Sequence, residues 1–338
     1  MKSQANRQVR LKARPTGIPQ ADNFEIVAAP VPEVADKQFL VRNEYLSVEP
    51  AMRGWVSAVA NYSTPVGIGE VMRAFSAGKV VASRHPNYRV GDAVMGMLGW
   101  QEYAISDGST ITRKVSESDL PLSLSLGVLG LNGVTAYFGL LDVGQPRPGD
   151  TVVVSTAAGA VGSAVGQIAK LMGCRTVGLT GGPTKSKLCR EEFGYDQVID
   201  YKSDSLANAL GQACPRGVDV YFDNTAGAIS DAVLPRLAAG ARVVICGTAS
   251  ISSWDPPPTG PRVERHILVK RARMAGFLIF DYQHRYEEAV TRLAEWVRQG
   301  RLRYREEISD GIEHCPGAIA ELYRGENLGK RLIHLRGH

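Results

Sequence analysis

The strongest hydrophobic pattern in the chain lies at residues 151–173. The run Thr151-Val-Val-Val is almost wholly apolar and follows the turn sequence Pro148-Gly149-Asp150, so it predicts a short buried strand. After a tight turn of alanine and glycine, apolar residues recur at the spacing of one helix face at Val165, Ile168, Ala169 and Met172. Gly173 suits the end of that helix. The pattern therefore predicts a strand, a glycine turn and a helix.

The same alternation of strand and helix continues towards the C-terminus. Valine-rich and isoleucine-rich runs predict further strands at residues 175–179, 197–201, 218–222 and 242–246. A helix is predicted around residues 285–299, before Gly300. Strands that alternate with helices are typical of a doubly wound parallel sheet, so we predict an α/β domain at residues 128–302.

The N-terminal part has a different pattern. Strand-like runs separated by proline-containing turns occur at residues 8–13, 24–27, 38–45, 79–83 and 93–97. This pattern predicts an irregular β-rich domain or small barrel at residues 1–127. Residues 303–338 return to short mixed elements.

Composition and charge exclude several classes of protein. The uncharged segment 120–141 contains Pro121, Asn132 and several glycines, which favours a buried helix and turn over a membrane span. The net charge of +5 is spread along the chain, and the basic clusters at 270–273 and 298–303 lack the aromatic residues typical of nucleic-acid binding. We therefore expect neither a membrane nor a nucleic-acid partner.

The cysteines indicate a compartment and argue against a structural metal. Five cysteines are widely spaced and form no C-x-x-C pair, namely Cys174, Cys189, Cys214, Cys246 and Cys315. Since the N-terminus also lacks an apolar signal core, we expect reduced thiols in a cytoplasmic enzyme. The usual structural zinc pattern is excluded.

The glycine turn is a candidate site for a pyrophosphate. Backbone N–H groups at a helix start attract phosphate, and missing side chains let it approach. The dinucleotide fingerprint asks for glycine at three places, where this chain has Ala157, Gly159 and Gly162. Small residues that pack a helix on a sheet give a similar pattern, so both interpretations stay open.

The next strand end indicates which dinucleotide suits the turn. NAD requires an acidic residue about 20 residues after the glycines, and the chain has none there. It has Thr180-Gly-Gly-Pro-Thr-Lys185-Ser-Lys187 instead, whose cations and hydroxyls suit the 2′-phosphate of NADPH. The alternative is a solvated lysine pair at a helix start.

Several motifs together resemble one family over nearly the whole chain. They are Leu46-Ser-Val-Glu-Pro50 with Met52-Arg53, Val66-Gly-Ile-Gly-Glu-Val-Met72, Gly133-Val-Thr-Ala-Tyr-Phe-Gly-Leu140, Ala157-Ala-Gly-Ala-Val-Gly-Ser163, Gly166-Gln-Ile-Ala-Lys170, Phe222-Asp-Asn224 and Gly325-Glu-Asn-Leu-Gly-Lys330. The chain resembles the zinc-independent branch of the medium-chain dehydrogenases/reductases, which holds prostaglandin/leukotriene, alkenal double-bond and curcumin reductases. The resemblance implies a GroES-like β-barrel, completed by residues 303–338, around a central Rossmann domain. It also implies an active site in the cleft between them, and a homodimer.

The resemblance also implies which residues bind the cofactor, NADPH. Lys185 and Tyr201 would bind the 2′-phosphate, and Asn327 would reach the cofactor from near the C-terminus. The remaining contacts would come from Ala158, Gly159, Ala160, Val161, Gly162, Asn224, Cys246, Gly247 and Thr248. Asn224 could instead cap a turn, and Asn327 could belong to a hairpin turn.

Ligand counting argues for a metal-free enzyme. Zinc-dependent relatives carry a Gly-His-Glu motif and a four-cysteine lobe. This chain has Gly69-Glu70 without the histidine, and no cysteine precedes Cys174.

The expected chemistry is hydride transfer from NADPH to the β-carbon of an α,β-unsaturated ketone or aldehyde, a small-molecule substrate. Where many members have tyrosine, this chain has Ala51, and it lacks a second tyrosine in the loop after Cys246-Gly247. The proton donor is therefore unassigned, with Tyr62, Ser252, Tyr282 and solvent as candidates. The alternatives are a quinone reductase and a non-catalytic NADPH-binding sensor or scaffold.

Overall fold

The computed structural model describes residues 5–58, 63–202, 205–251, 256 and 258–336. Over these residues the chain forms fifteen strands and nine α-helices. The strands are β1 (Ala5–Leu11), β2 (Phe24–Pro30), β3 (Phe39–Ser47), β4 (Phe75–Ser83), β5 (Ala93–Met97), β6 (Tyr103–Ser106), β7 (Ile111–Lys114), β8 (Thr151–Ser155), β9 (Arg175–Thr180), β10 (Gln197–Asp200), β11 (Val218–Asp223), β12 (Leu237–Ile245), β13 (Arg273–Gly276), β14 (Glu306–Asp310) and β15 (Lys330–His334). The helices are α1 (Met52–Trp55), α2 (Leu131–Phe138), α3 (Ala160–Leu171), α4 (Pro183–Glu191), α5 (Leu206–Ala213), α6 (Gly227–Val233), α7 (Glu264–Lys270), α8 (Tyr286–Arg298) and α9 (Cys315–Arg324).

These elements fall into two compact units. One unit contains Met1–Gly127 and Glu306–His338, and the other contains Val128–Arg305. The second unit ends at Arg305, three residues after position 302, where the sequence analysis predicts the boundary. Arg303 belongs with the second unit because its backbone N–H donates to Oε1 of Gln167 on α3, at 2.7 Å.

The second unit is built on a six-stranded parallel sheet. Its strand order is β10-β9-β8-β11-β12-β13, so the chain runs outwards in one direction from β8 and then in the other from β11. The residues of β8 are all buried, as the apolar run from Thr151 predicts. This topology and the separate β-rich unit confirm the predicted fold class, a Rossmann-type parallel sheet with an N-terminal sheet domain. The carboxyl ends of β8 and β11 meet at the switch point, where open α/β sheets bind their ligands.

The first unit is built on a seven-stranded sheet and a two-stranded pair, β1 with β2. The main path is β14-β15-β3-β4-β5-β7, and β6 pairs with β3. Strand β15, from the C-terminal segment, lies beside β3 with Leu332 opposite Ser47. The end of the chain therefore completes a sheet that its beginning forms.

The uncharged segment 120–141 is closely packed. It forms a short 3-10 turn at Leu122–Leu126 and then the eight-residue helix α2. A Cβ at Gly133 would lie 1.8 Å from the carbonyl oxygen of Val128, so only glycine fits there. Across the described part of the chain, no helix combines the length and apolar character that a membrane span requires.

A buried ion pair joins β15 to the end of β3. Lys330 and Glu49 have side chains only 4% and 5% exposed, and Nζ of Lys330 donates to Oε1 of Glu49 at 2.6 Å. The same ammonium donates to Oγ of Ser47 at 2.6 Å and to the carbonyl of Val48 at 3.1 Å. All three ammonium protons are thus used. Burial also raises the pKa of Glu306, which lies near this cluster.

We expect Lys330→Met to lower the free energy of unfolding by about 3–5 kcal/mol, because it leaves the Glu49 carboxylate buried without its cation. Denaturant unfolding measures this change. Lys79→Met is the control, since the exposed pair Lys79–Glu44, at 3.8 Å, should contribute less than about 1 kcal/mol. Lys330→Met combined with Glu49→Leu should recover part of the loss. Equal losses for Lys330→Met and Lys79→Met would contradict this assignment.

Candidate functional site

The glycine turn lies at the carboxyl end of β8. Thr156 adopts a positive φ of 53°, and the N–H of Gly159 donates to the carbonyl of Thr156 at 2.9 Å. A Cβ at Gly162 would lie only 2.3 Å from that same carbonyl oxygen. Gly162 is therefore required by the backbone of the turn, and the first turn of α3 stays free of a side chain at this position.

The other small residues of this region serve the packing of α3. A Cβ at Gly166 would lie 2.1 Å from Cζ of Tyr195. The hydroxyl of Tyr195 donates to the carbonyl of Gly162 at 2.6 Å, and burial raises the pKa of this tyrosine well above its usual value. Ala157, at the first fingerprint position, is fully buried. The cofactor and packing interpretations are therefore compatible, because different glycines serve each.

The turn fits a pyrophosphate group. The first N–H groups of any helix have no partner within the helix, and those of α3 follow directly on the turn at Gly159. Two of the turn residues, Gly159 and Gly162, have no side chains, so a phosphate can approach the backbone. The N–H of Gly159 is used within the turn, so Ala160, Val161 and Gly162 at the start of α3 are the better placed donors. The contact of residues 158–162 with a pyrophosphate stays a prediction.

Lys185 and Tyr201 lie at the same edge of the sheet, beyond β9 and β10. Lys185 is half-buried in the first turn of α4. Tyr201 directly follows β10, and its hydroxyl would lie 2.7 Å from a Cβ at Gly181. Burial, with a contribution from the charge of Asp200, raises the pKa of Tyr201. The two residues predicted to bind the 2′-phosphate therefore follow neighbouring strands, Lys185 in the helix after β9 and Tyr201 directly after β10.

Sequence reasoning missed the part that Asp200 plays at this edge. Its Oδ1 accepts hydrogen bonds from the N–H of Gly182 at 2.9 Å and of Lys202 at 3.0 Å. Gly182 has a φ of 98°, which suits glycine. The carboxylate thus holds the turn that leads into α4. An aspartate as the last residue of a predicted strand is the signal that could have identified it.

The residues beyond β11 and β12 that are predicted to contact the cofactor are connected by hydrogen bonds around the end of β11. Asn224 donates to Ser155 twice, from its backbone N–H to Oγ and from Nδ2 to the carbonyl, both at 2.7 Å. The N–H groups of Cys246 and Gly247 donate to the carbonyl of Asp223 at 2.8 and 3.1 Å. Thr248 follows directly in the same loop. The capping interpretation of Asn224 is consistent with these bonds, and its cofactor contact stays a prediction.

The five thiols are all protonated at neutral pH. Cys174, Cys189, Cys214 and Cys315 are buried, and Cys246 is half-buried. Burial raises the pKa of Cys246 to about 12, with a further contribution from Asp223, and raises that of Cys174 to about 11. None of these cysteines is therefore a thiolate at neutral pH.

Of the three side chains that are candidate proton donors, Tyr282 lies within the described residues. Tyr62 and Ser252 lie outside the described residues. Tyr282 lies in a 3-10 turn at Ile279–Arg285 and stacks on Phe138, with ring centroids 4.6 Å apart. Burial, and then the charge of Asp142, raises its pKa, so its phenol keeps its proton at neutral pH.

Asn327 belongs to the other unit. It is 9% exposed, and its Nδ2 donates to the carbonyl of Gly329 at 2.8 Å. Asn327 lies between α9 and β15, so its turn joins a helix to a strand, and the hairpin-turn interpretation is wrong. The contact of Asn327 with a cofactor stays a prediction. Among the residues that the structure describes, no group of three His, Cys, Asp or Glu side chains could hold a metal ion.

Two family models match the chain. One, described as the N-terminal domain of oxidoreductases, matches residues 7–114. The other, described as zinc-binding dehydrogenase, matches residues 160–295.

The chain is also similar to characterised proteins over its whole length. It is 43% identical over 339 residues to the NADPH-dependent curcumin reductase of Escherichia coli (strain K12), covering 99% of this chain and 98% of that protein. It is 37% identical over 336 residues to the NADP(+)-dependent 2-alkenal reductase of Nicotiana tabacum, covering 97% of each. The crystal structure of CurA in complex with NADPH from Vibrio vulnificus superposes with a TM-score of 0.92 at 43% identity, covering 98% of this chain and 100% of that one.

We expect Gly162→Ala to lower the free energy of unfolding by about 1–3 kcal/mol, because its Cβ must displace the backbone of Thr156. Since the displaced turn also carries the phosphate donors, NADPH affinity should fall roughly 10-fold. Thermal unfolding and a fluorescence titration measure the two effects. Gly276→Ala is the control, because a Cβ there meets no atom within 4 Å. Unchanged stability and affinity in Gly162→Ala would refute the geometry of the turn.

Proposed function

The chain belongs to the medium-chain dehydrogenase/reductase family, in the branch of the curcumin, 2-alkenal and prostaglandin reductases, and from this premise we propose that it uses NADPH to reduce the C=C bond of α,β-unsaturated ketones and aldehydes. The observation that carries the proposal is the 43% identity, over 99% of the chain, to an NADPH-dependent curcumin reductase. The glycine turn at the switch point of the sheet supports it independently, since a helix start that follows such a turn suits a pyrophosphate.

The chain divides the recognition of NADPH between the two halves of the sheet. Residues 158–162 bind the pyrophosphate through backbone N–H groups. Lys185 and Tyr201 bind the 2′-phosphate, the former through its charge and the latter through its hydroxyl. Asn224 and residues 246–248, beyond β11 and β12, line the ribose on the nicotinamide side, and Asn327 adds a contact. When bound, NADPH supplies the hydride that the β-carbon of the alkene accepts.

The chain must also stabilise an enolate and provide a proton. Tyr62, Ser252, Tyr282 and water are the candidate donors to the α-carbon. Tyr282 meets one requirement, because its raised pKa keeps the phenol protonated at neutral pH. The variants Tyr62→Phe, Ser252→Ala and Tyr282→Phe identify the donor, since losing it should lower kcat by roughly 10²–10⁴-fold. An unchanged kcat in all three variants would leave water as the donor.

We also propose that the chain works as a homodimer in the cytoplasm. The second unit exposes Leu268 and Val269 on α7 at 77% and 56%, and α7 leads directly into β13, the last strand of the sheet. An apolar surface next to a sheet edge suits a second copy of the chain. Sedimentation of the purified protein tests the dimer, and Leu268→Glu should shift it to the monomer. The five free cysteines support a reducing compartment, which cell fractionation tests.

We expect Lys185→Ala to raise the KM for NADPH by roughly 10-fold or more, because it removes a charge-assisted contact with the 2′-phosphate. The KM for NADH, which lacks that phosphate, should not change. Lys187→Ala is the matched control. This lysine lies on the same helix but pairs with Glu191 on its exposed face, at 3.9 Å. An equal effect of Lys185→Ala on both coenzymes would refute the assignment of the 2′-phosphate.

The reaction itself is tested by steady-state assays with NADPH against a panel of enones and alkenals and a panel of quinones. We expect faster turnover of enones, with loss of the C=C bond in the product, and no loss of activity after EDTA treatment. Faster turnover of quinones than of every enone would identify a quinone reductase. NADPH binding without oxidation by either panel would identify a sensor or scaffold. Activity lost with EDTA and restored by zinc would refute the metal-free proposal.

A further inference from the structure

A buried carboxylate lies beneath the loops that follow β11 and β12. Asp223, the last residue of β11, is 1% exposed. Its Oδ1 accepts hydrogen bonds from the N–H groups of Thr225 and Ala226, both at 2.9 Å, and from Oγ of Ser155 at 3.3 Å. Its Oδ2 accepts a hydrogen bond from Oγ of Ser230 on α6. A charge so deeply buried requires these donors, and they come from three different elements.

The same residue connects three strand ends. Ser155 closes β8, and its hydroxyl, which donates to Asp223, accepts the N–H of Asn224 at 2.7 Å. The backbone carbonyl of Asp223 accepts the N–H groups of Cys246 and Gly247, just beyond β12. Asn224, Cys246 and Gly247, which are predicted to contact the cofactor, are therefore each adjacent to Asp223 in the chain or hydrogen-bonded to its carbonyl, and Thr248 follows Gly247.

The loop after Asp223 also has a backbone conformation that needs support. Ala226 adopts φ 60° and ψ −161°, a region that is costly for any residue except glycine. The carboxylate of Asp223 accepts its N–H, and Oγ of Ser250 donates to the carbonyls of Thr225 at 2.8 Å and Ala226 at 3.1 Å. The loops after β11 and β12 are thus hydrogen-bonded to each other, and the first of them is also hydrogen-bonded to the carboxylate.

The position of this network in the sheet indicates which half of the cofactor it affects. In a doubly wound sheet the half that begins with the glycine turn binds the adenosine side, and the other half binds the second mononucleotide. Strands β8, β9 and β10 form the first half here, and β11, β12 and β13 form the second. Asp223 lies in the second half, on the nicotinamide side of the switch point.

We propose that Asp223 is a positioning residue, which holds the loops after β11 and β12 in the shape that binds the nicotinamide half of NADPH. The inference rests on the proposed function and adds a residue to it. Asp223 acts through Asn224 and residues 246–248, and it supports them as a fixed acceptor of hydrogen bonds.

The chain offers a matched control on the same strand. Asp219, near the opposite end of β11, accepts the N–H of Thr151 on β8 at 2.8 Å. Both aspartates thus bond to β8, but only Asp223 does so at the edge that binds ligands. We would therefore compare Asp223→Asn with Asp219→Asn, with the unaltered protein as reference.

The experiment measures the affinity of each protein for NADPH and for adenosine 2′,5′-bisphosphate, which represents only the adenosine half. For Asp223→Asn we expect NADPH affinity to fall roughly 10-fold or more, because the loops lose their fixed acceptor, and the affinity for the bisphosphate to stay within about twofold. Asp219→Asn should leave both affinities within about twofold. Removing a negative charge would strengthen the binding of an anion, so weaker NADPH binding reports geometry.

Ser230→Ala keeps the carboxylate and removes one of its donors, so it tests the inference even if Asp223→Asn fails to fold. We expect it to weaken NADPH binding by about 3-fold, with the bisphosphate unaffected. Equal losses for both ligands, or the same NADPH affinity in the Asp223 and Asp219 variants, would overturn the inference and leave the proposed function intact. Failure of the unaltered protein to bind NADPH would overturn both.

Discussion

The site depends on how closely α3 approaches the end of β8. At Gly162 the approach leaves no room for even one carbon, because the carbonyl of Thr156 occupies that space. Tyr195 fixes the arrangement from the other side, since its buried hydroxyl bonds to the carbonyl of Gly162 while its ring fills the place of a side chain at Gly166. A helix start held this way presents its N–H groups in fixed positions, and the neighbouring strand ends are arranged around them.

The sequence predicts this half of the molecule well because the signals are local. The strand beginning at Thr151 is an apolar run, and the one beginning at Val218 is apolar apart from Asp219 and Asp223, which is close to the pattern of strands buried on both faces. Strand β13 was missed because it is short and largely exposed, so the chain around Arg273 has the composition of a solvated surface. The amphipathic helix at Tyr286–Arg298 was predicted to within a residue at each end, since its apolar positions recur regularly.

Long-range polar contacts could not be predicted in the same way. Nothing near Lys330 in the sequence indicates that its ammonium is buried against Glu49, because the two are separated by most of the chain. Likewise, Asp223 appears in the sequence as an aspartate at a strand end. Its importance emerges only when folding brings Ser155 and Ser230 to it. A hydrophobic pattern specifies which elements form, but the partners of a buried charge depend on how those elements are then assembled.

The protonated state of the cysteines has a consequence for a protein that handles electron-poor alkenes. Such compounds are Michael acceptors, and the species that adds to them is the thiolate, not the thiol. With Cys189 at a pKa of about 12 and Cys214 at about 11, and both side chains buried, neither offers these electrophiles a nucleophilic sulfur. Burial of these two thiols thus protects them from covalent modification by the compounds that the protein consumes.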